Sequence, residues 1–148
     1  MEFLIYPPEK DLTDTQIAYQ LARQRGACSV AVWGGTGSRL DHTLSTLHNA
    51  FWLVEHGIDM CFASPDVTIN LLRDRLVLTG NPGDTVSLIV LGDAATGVTL
   101  KGFHYPLSHA TIKGTWQFCV SNIMTEIHPV IEAASGNIAV FHHHVLPD

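Results

Sequence analysis

Carboxylate, glycine and basic residues are concentrated in two short segments near the amino end of the chain, and both segments suit a phosphate and metal site. The first contains Lys10, Asp11, Thr13 and Asp14. Two carboxylates and an ammonium group beside a strand end could hold a magnesium–nucleotide complex, because Mg²⁺ takes oxygen ligands. A carboxylate in the first turn of a helix also interacts well with the helix dipole, so a structural role for Asp14 stays open.

The second segment, residues 34–42, has the sequence GGTGSRLDH. It is not a Walker motif, because it lacks Gly-Lys-Ser/Thr, and Leu40 occupies the place of a third dinucleotide-binding glycine. A glycine turn before a helix could be an ordinary connection between a strand and a helix. It also suits the binding of an anion with a metal ion nearby. The candidate residues are Gly35, Gly37, Arg39, Asp41 and His42.

Alternating strands and helices are predicted to position these two segments. Thr13 and Gln16 fit a capping box at the start of a helix that Gly26 ends. A second helix follows the glycine turn, with apolar residues spaced three and four apart at Leu40, Leu44, Leu47, Phe51 and Val54. Strands are predicted at residues 3–6, 29–33 and 60–63. This alternation indicates an open α/β sheet.

The pattern changes after Pro65, where short β-rich runs are separated by Gly, Pro, Asn and Asp. The predicted strands are residues 67–72, 76–79, 85–91, 97–103, 115–121 and 138–144. Short strands at regular spacing favour an antiparallel sandwich. The predicted fold class is therefore α/β plus all-β, with an α/β catalytic domain at residues 1–64 and a β-sandwich domain at residues 65–148.

Composition limits the classes of partner. The chain has 148 residues, 46% of them apolar, and a net charge of −6. Without a basic run, nonspecific binding to nucleic acid is not expected. No apolar stretch approaches the roughly 20 residues of a membrane helix, and no signal peptide opens the chain, so we expect a cytoplasmic protein without a membrane partner. The separated cysteines Cys28, Cys61 and Cys119 are expected to be buried thiols.

Several residues of the second half have both a structural and a functional interpretation. Tyr105 could be a packed aromatic, and Ser121 and Asn122 could form a turn. His142 and His144 would project from one face of a strand, but they lie near the end of a terminal strand, and we expect no carboxylate or cysteine beside them. We therefore expect only adventitious nickel or zinc binding there. Three tryptophans are expected in the core or in an interface, namely Trp33, Trp52 and Trp116.

Four segments, in chain order, resemble the signature series of the thiamine pyrophosphokinase (thiamine diphosphokinase) family. They are residues 6–14, residues 34–42, the Gly-Phe-His-Tyr-Pro-Leu run at 102–107 and the Val-Ser-Asn run at 120–122. The resemblance implies transfer of pyrophosphate from ATP to thiamine, giving thiamine diphosphate and AMP. It also implies a homodimer that binds thiamine between the α/β domain of one subunit and the β-sandwich of the other.

The same resemblance implies roles for the candidate residues. Asp14 and Asp41 would hold Mg²⁺ or orient the attacking hydroxyl, with Asp11 as a further metal ligand beside Asp14, and Arg39 would stabilise charge on the transferring group. Tyr105 would stack on the thiamine pyrimidine, while Ser121, with Asn122, would bind its aminopyrimidine. The remaining nucleotide-binding candidates are Lys10, Thr13, Gly35, Gly37 and His42.

The chain departs from the family pattern in three places. The Gly-Asp-Phe-Asp-Ser type segment that opens the family, with its metal-binding aspartates, does not occur in the sequence. Ser38 replaces a usual glycine, and Thr46 stands where asparagine is common. The resemblance thus covers roughly the carboxyl-terminal two thirds of a typical member, with a truncated α/β domain. We expect this chain by itself to be a poor or inactive catalyst.

Two alternatives to an enzyme stay open. The first is a non-catalytic module that binds thiamine or dimerises through its β-sandwich, without phosphate chemistry. The second is a β-sandwich interaction domain whose aspartates only cap helices. Thiamine binding that neither needs Mg²⁺ nor weakens in Asp14→Asn would favour the first alternative. An effect of Tyr105→Ala on stability but on no ligand affinity would favour the second.

Overall fold

The computed structural model describes residues 11–144. In this range one helix precedes the first strand along the chain and a second helix follows it. Helix α1 spans Asp14–Gln24, and Thr13 and Gln16 form the predicted capping box at its start. Helix α2 spans Leu40–Glu55, as its apolar spacing predicts. The strand predicted at residues 3–6, together with Lys10, lies outside the described residues.

Within residues 11–144, ten strands form two sheets. In chain order they are β1 Ser29–Trp33, β2 Asp59–Ala63, β3 Val67–Leu72, β4 Arg75–Val77, β5 Thr85–Val90, β6 Ala94–Lys101, β7 Leu107–Lys113, β8 Asn122–Ile123, β9 Val130–Glu132 and β10 Ile138–His143. One sheet has the order β1-β2-β3-β10-β5-β8 and the other the order β4-β9-β6-β7. The pair β1 and β2 is parallel, and every other pair in these sheets is antiparallel.

The six-stranded sheet is continuous from its parallel part to its antiparallel part. Met60 to Ala63 of β2 pair with Thr68 to Leu71 of β3, and residues 64–66 only connect the two strands. The helical part and the sandwich therefore share one sheet. The division into domains at residues 64 and 65 stays a prediction.

Strand β10 contributes side chains to two hydrophobic cores, one on each face of this sheet. Its residues alternate between the two faces of the sheet, as side chains on a strand must. Ile138 and Val140 belong to the core that lies between the two sheets. Ala139 and Phe141 belong to or pack against the core that the sheet forms with α1 and α2. The outcome is the predicted fold class, a mixed α/β part followed by a β-sandwich.

The strand predicted at residues 115–121 is wrong. Within that segment, Trp116 makes an isolated bridge with Lys113, and pairing resumes only at β8. Strands β7 and β9 were not expected. The side chains of β7 are mostly exposed or half-buried, so the strand lacks an apolar signal, and β9 has only three residues.

Several large apolar side chains are exposed. Trp33 and Trp116 are 72% and 74% exposed, so they are not core residues of this chain, and their place in an interface stays a prediction; Trp52 is half-buried. Leu40 and Leu44, the first two members of the α2 pattern, are also exposed. Of the cysteines, only Cys119 is buried, and Cys28 is exposed. Among residues 11–144, neither helix is long and apolar enough to cross a membrane.

Candidate functional site

Both helix N-termini are carried to the carboxyl ends of the parallel strands. Helix α2 follows β1 through the glycine turn, so it begins where β1 ends. Helix α1 precedes β1 and packs against α2, and a short connection at residues 25–28 reverses the chain between α1 and β1. The start of α1 therefore lies at the same edge of the sheet. In open α/β sheets this edge is the usual place for a ligand.

A cleft of about 640 Å³ lies between the two helix N-termini. Asp14 of α1 and Asp41 of α2 both line it, so residues that are 27 positions apart in sequence share one cavity. Hydroxyl groups surround the two carboxylates. The other lining residues are Leu12, Thr13, Thr15, His42, Ser45 and Thr46.

Arg39 and Asp41 form an ion pair at the N-terminus of α2. Arg39 Nη2 lies 2.6 Å from Asp41 Oδ2, and Arg39 Nε lies 3.3 Å from Oδ1, so the guanidinium contacts both carboxylate oxygens. This hydrogen bonding from Arg39 lowers the pKa of the Asp41 carboxyl. The carboxylate is therefore ionised at neutral pH. Both side chains are exposed, so they are accessible to a ligand.

The two glycines of the turn have different surroundings. A Cβ on Gly35 would lie 2.6 Å from Val32 Cγ1 and 2.9 Å from Phe62 Cδ1, so this glycine lets the turn pack on the core. A Cβ on Gly37 would meet no atom within 4 Å. The Gly37 N–H donates to the Thr43 hydroxyl at 3.3 Å. Packing therefore explains Gly35, while Gly37 is sterically free to change.

We expect Gly35→Ala to lower the free energy of unfolding by about 1–3 kcal/mol, because the added methyl overpacks the contact with Val32 and Phe62. Gly37→Ala is the matched control from the same turn and should change it by less than about 0.5 kcal/mol. Urea unfolding followed by circular dichroism measures both. Equal effects of the two substitutions would contradict the packing explanation.

Two nucleotide-binding candidates of the first segment remain, Asp11 and Lys10. Asp11 is exposed, and its neighbour Leu12, rather than Asp11, is among the described residues that line the cleft. Lys10 is not described. The roles of Asp11 and Lys10 in metal or nucleotide binding stay predictions.

Tyr105 forms an exposed aromatic surface on a firmly held segment. Its side chain is 64% exposed, and the His104 ring packs edge-on against it at a centroid distance of 4.6 Å. The His104 N–H donates to the Ile123 carbonyl at 2.9 Å, and Phe103 forms a bridge with Met124. A fixed aromatic ring open to solvent is suited to stacking against a flat ligand.

Asn122 holds the Tyr105 segment with its side chain. Its Oδ1 accepts from the N–H groups of Tyr105 and Ile123 at 3.0 and 2.9 Å, and its Nδ2 donates to the Tyr105 carbonyl at 2.8 Å. The residue is 4% exposed. Its neighbour Ser121 is exposed and adopts a φ of 59°, with its N–H donating to the Ser87 hydroxyl. Asn122 thus positions the aromatic ring, and Ser121 presents a hydroxyl beside the same strand end.

The cleft and the Tyr105 surface lie near opposite edges of the six-stranded sheet. The cleft is at the end of β1, and Asn122 begins β8, five strand intervals away. At about 4.8 Å per interval, the separation across the sheet is about 24 Å. The residues of one chain therefore form two separate sites.

A buried carboxylate adjoins the histidine run, and sequence reasoning missed it. Asp84 Oδ2 lies 2.8 Å from His142 Nε2. The expectation that no carboxylate lies beside these histidines is therefore wrong. The two residues are 58 positions apart in sequence, and Asp84 directly follows a turn that contains glycine. The only sequence signal was an acidic residue directly before a buried strand.

Two sequence models of one family match the chain in order. Residues 1–62 match the model described as "Thiamin pyrophosphokinase, catalytic domain". Residues 68–138 match the model described as "Thiamin pyrophosphokinase, vitamin B1 binding domain". The gap between the two matches, residues 63–67, contains the connection between β2 and β3.

Curated and solved relatives agree with these matches. The thiamine pyrophosphokinase of Bacillus subtilis is 25% identical over 143 residues, which cover 89% of this chain and 63% of the relative. The crystal structure of a Bacillus subtilis thiamine pyrophosphokinase has a TM-score of 0.84 at 22% identity, over 93% of this chain and 66% of that chain. The enzyme from Geobacillus thermodenitrificans has a TM-score of 0.81 at 22% identity, over 95% and 65%.

The chain spans less than two thirds of the length of these relatives. Within that span the likeness includes both the helical part and the sandwich, and the two family matches cover residues on both sides of the shared sheet. The chain belongs to the thiamin pyrophosphokinase family.

Proposed function

We propose that the chain carries out the thiamine pyrophosphokinase reaction, but slowly by itself, because the Gly-Asp-Phe-Asp-Ser type segment with its metal-binding aspartates does not occur in the sequence. In this reaction the hydroxyethyl oxygen of thiamine attacks the β-phosphorus of ATP, the bond from that phosphorus to the oxygen of the α-phosphate breaks, and AMP leaves. The hydroxyl proton passes to a carboxylate of the cleft or to water. Beside the family membership, the proposal depends mainly on one observation, the convergence of Asp14 and Asp41 in a single cleft at two helix N-termini.

The donor atoms of the cleft suit Mg²⁺. Carboxylate oxygens of Asp14 and Asp41 and the hydroxyls of Thr13 and Ser45 are hard oxygen ligands, the kind that Mg²⁺ prefers. When bound, Mg²⁺ would neutralise phosphate charge. The two carboxylates would hold it, with Asp11 as a further proposed ligand. No covalent enzyme intermediate is needed, because positioning and electrostatics supply the catalysis of phosphoryl transfer.

The residues at the start of α2 would bind the phosphates. The side chain of the N-cap residue Arg39 does not cap this helix, and its N-terminal end favours a negatively charged group such as phosphate. The Arg39 guanidinium, already held by Asp41, would stabilise charge on the transferring group. His42 lines the same cleft and can donate a further hydrogen bond.

Thiamine would bind at the Tyr105 surface, with the pyrimidine ring stacked on the phenol ring and Ser121 hydrogen-bonded to the aminopyrimidine. The cleft and the Tyr105 surface of one chain are about 24 Å apart across the sheet, too far for one thiamine to contact both. We therefore propose a homodimer in which the cleft of one subunit faces the Tyr105 surface of the other. A cytoplasmic location, where ATP is available, completes the proposal.

The test is to incubate the purified chain with ATP, Mg²⁺ and thiamine and to follow AMP and thiamine diphosphate by chromatography. Equal amounts of both products, dependent on Mg²⁺, would support the proposal. The Bacillus subtilis relative serves as the control for assay conditions. Thiamine binding without product and without a Mg²⁺ requirement would instead favour a non-catalytic thiamine-binding or dimerising module.

A further inference from the structure

Asp84, His142 and His144 meet at the end of β10. One potential ligand atom from each lies within 4.8 Å of the other two. Asp84 and His142 are 1% and 2% exposed, and the rings of His142 and His144 are 4.3 Å apart between centroids. Three donors of the type that bind transition metals therefore share one largely buried position, separate from the Asp14 and Asp41 cleft.

Surrounding groups hold Asp84 and His144 in place, and His142 is held by its contact with Asp84. The Asn81 N–H donates to Asp84 Oδ2 at 3.0 Å. The Thr68 hydroxyl lies 3.0 Å from His144 Nε2, which leaves Nδ1 of that ring as its second donor atom. A metal-binding histidine commonly has its other ring nitrogen held by such an outer partner. The three side chains are thus oriented by the fold before any ion binds.

A glycine makes room for the cluster. A Cβ on Gly80 would stand 2.5 Å from Asp84 Oδ2 and 2.8 Å from His142 Nε2. The backbone at this position therefore approaches both side chains more closely than any other residue type would allow. The strand register also contributes, because His142 is paired with Thr68 on β3 and with Val86 on β5.

From this geometry we infer that Asp84, His142 and His144 bind a divalent transition-metal ion of the zinc class. Two imidazoles and one carboxylate are a known donor set for tetrahedral zinc, with water in the fourth position. The nitrogen donors distinguish this site from the proposed Mg²⁺ site, whose donors are oxygens. On binding, the ion replaces the hydrogen bond between His142 and Asp84 and ties β10 to the turn before β5.

The first experiment titrates the untagged, metal-free full chain with Zn²⁺ against a chromogenic chelator. We expect one ion per chain that excess Mg²⁺ does not displace, and a rise in Tm with Zn²⁺ concentration, because an ion bound only by the folded state stabilises it. Co²⁺ should give the visible absorption of a four-coordinate ion. Failure of Zn²⁺ to bind saturably would overturn the inference.

Two neighbouring substitutions separate a built site from chance chelation by the His-His-His run. His144→Ala should weaken Zn²⁺ binding more than about 100-fold, because loss of an outer-shell partner alone costs about 10–100-fold. His143→Ala is the matched control, since His143 is exposed and is not one of the three clustered donors. Equal losses in the two variants would mean an adventitious ion only and would overturn the inference.

A third variant tests the outer partner without touching a ligand. Thr68→Val keeps the shape of the side chain but removes the hydroxyl beside His144 Nε2. We expect Zn²⁺ binding to weaken about 10–100-fold, with the fold unchanged by circular dichroism. An unchanged affinity would contradict an oriented site. None of these readouts depends on thiamine diphosphate formation, so the inference and the proposed function can fail independently.

Discussion

Replacing Asp41 with Asn is expected to reduce thiamine diphosphate formation at least about 100-fold, because a metal ion at the phosphates is worth several kcal/mol and each 1.36 kcal/mol is a factor of ten. The substitution keeps the shape of the side chain and removes its charge. Asp41 is exposed at the start of α2, so the substitution should leave stability almost unchanged. The Mg²⁺ concentration needed for half-maximal ATP binding should rise as well.

The rise in the Mg²⁺ requirement separates a metal role from a structural role for Asp41. Binding of Mg²⁺-ATP, measured by calorimetry, gives this readout whether or not the wild-type chain turns over. Asp59→Asn is the matched control, because Asp59 opens β2 at the amino ends of the parallel strands, away from the cleft. Asp41→Asn with unchanged Mg²⁺ dependence, or Asp59→Asn with an equal defect, would contradict the assignment.

Sequence reasoning predicted the elements that carry a strong local signal, namely a helical period, a helix cap or a run of apolar residues. The period of α2 and the Thr13 capping box appear in the structure where they were expected, as does β1. It failed for β7 and β9, whose residues pair through the backbone while exposing most of their side chains or are too few to show a period. The partners of β9, namely β4 and β6, also lie far from it in sequence, so no local pattern reveals that pairing.

The candidate site was predictable in part for a related reason. Asp14 and Asp41 each stand at a helix start, and the order of elements already implied that both starts reach one sheet edge. The contact of Asp84 with His142 was not predictable, because it depends on β10 returning to pair between β3 and β5. Nor could sequence show that the side chain of Asn122 is engaged with the backbone of Tyr105.

Asn122→Ala is expected to lower the free energy of unfolding by about 3 kcal/mol, because three backbone groups lose their partner and each unpaired buried group costs about 1–3 kcal/mol. The three contacts are 2.8–3.0 Å long, and two of them hold the backbone of Tyr105, while the third holds the Ile123 N–H. Thiamine affinity should therefore fall together with stability. Urea unfolding and calorimetric titration with thiamine measure the two effects.

Two comparisons show whether Asn122 acts by positioning Tyr105. Asn49→Ala removes one amide from the surface of α2, where the amide makes a single 3.3 Å contact, and should change stability by less than about 0.5 kcal/mol. Asn122→Asp keeps the two accepted hydrogen bonds but places a carboxylate oxygen against the Tyr105 carbonyl, so it should also be destabilising. If Asn122→Ala lowers thiamine affinity in a chain as stable as wild type, Asn122 contacts thiamine directly and the positioning role is wrong. If it lowers stability alone while thiamine affinity is unchanged, Asn122 does not act through Tyr105, because thiamine binding then survives the loss of both hydrogen bonds to the Tyr105 backbone.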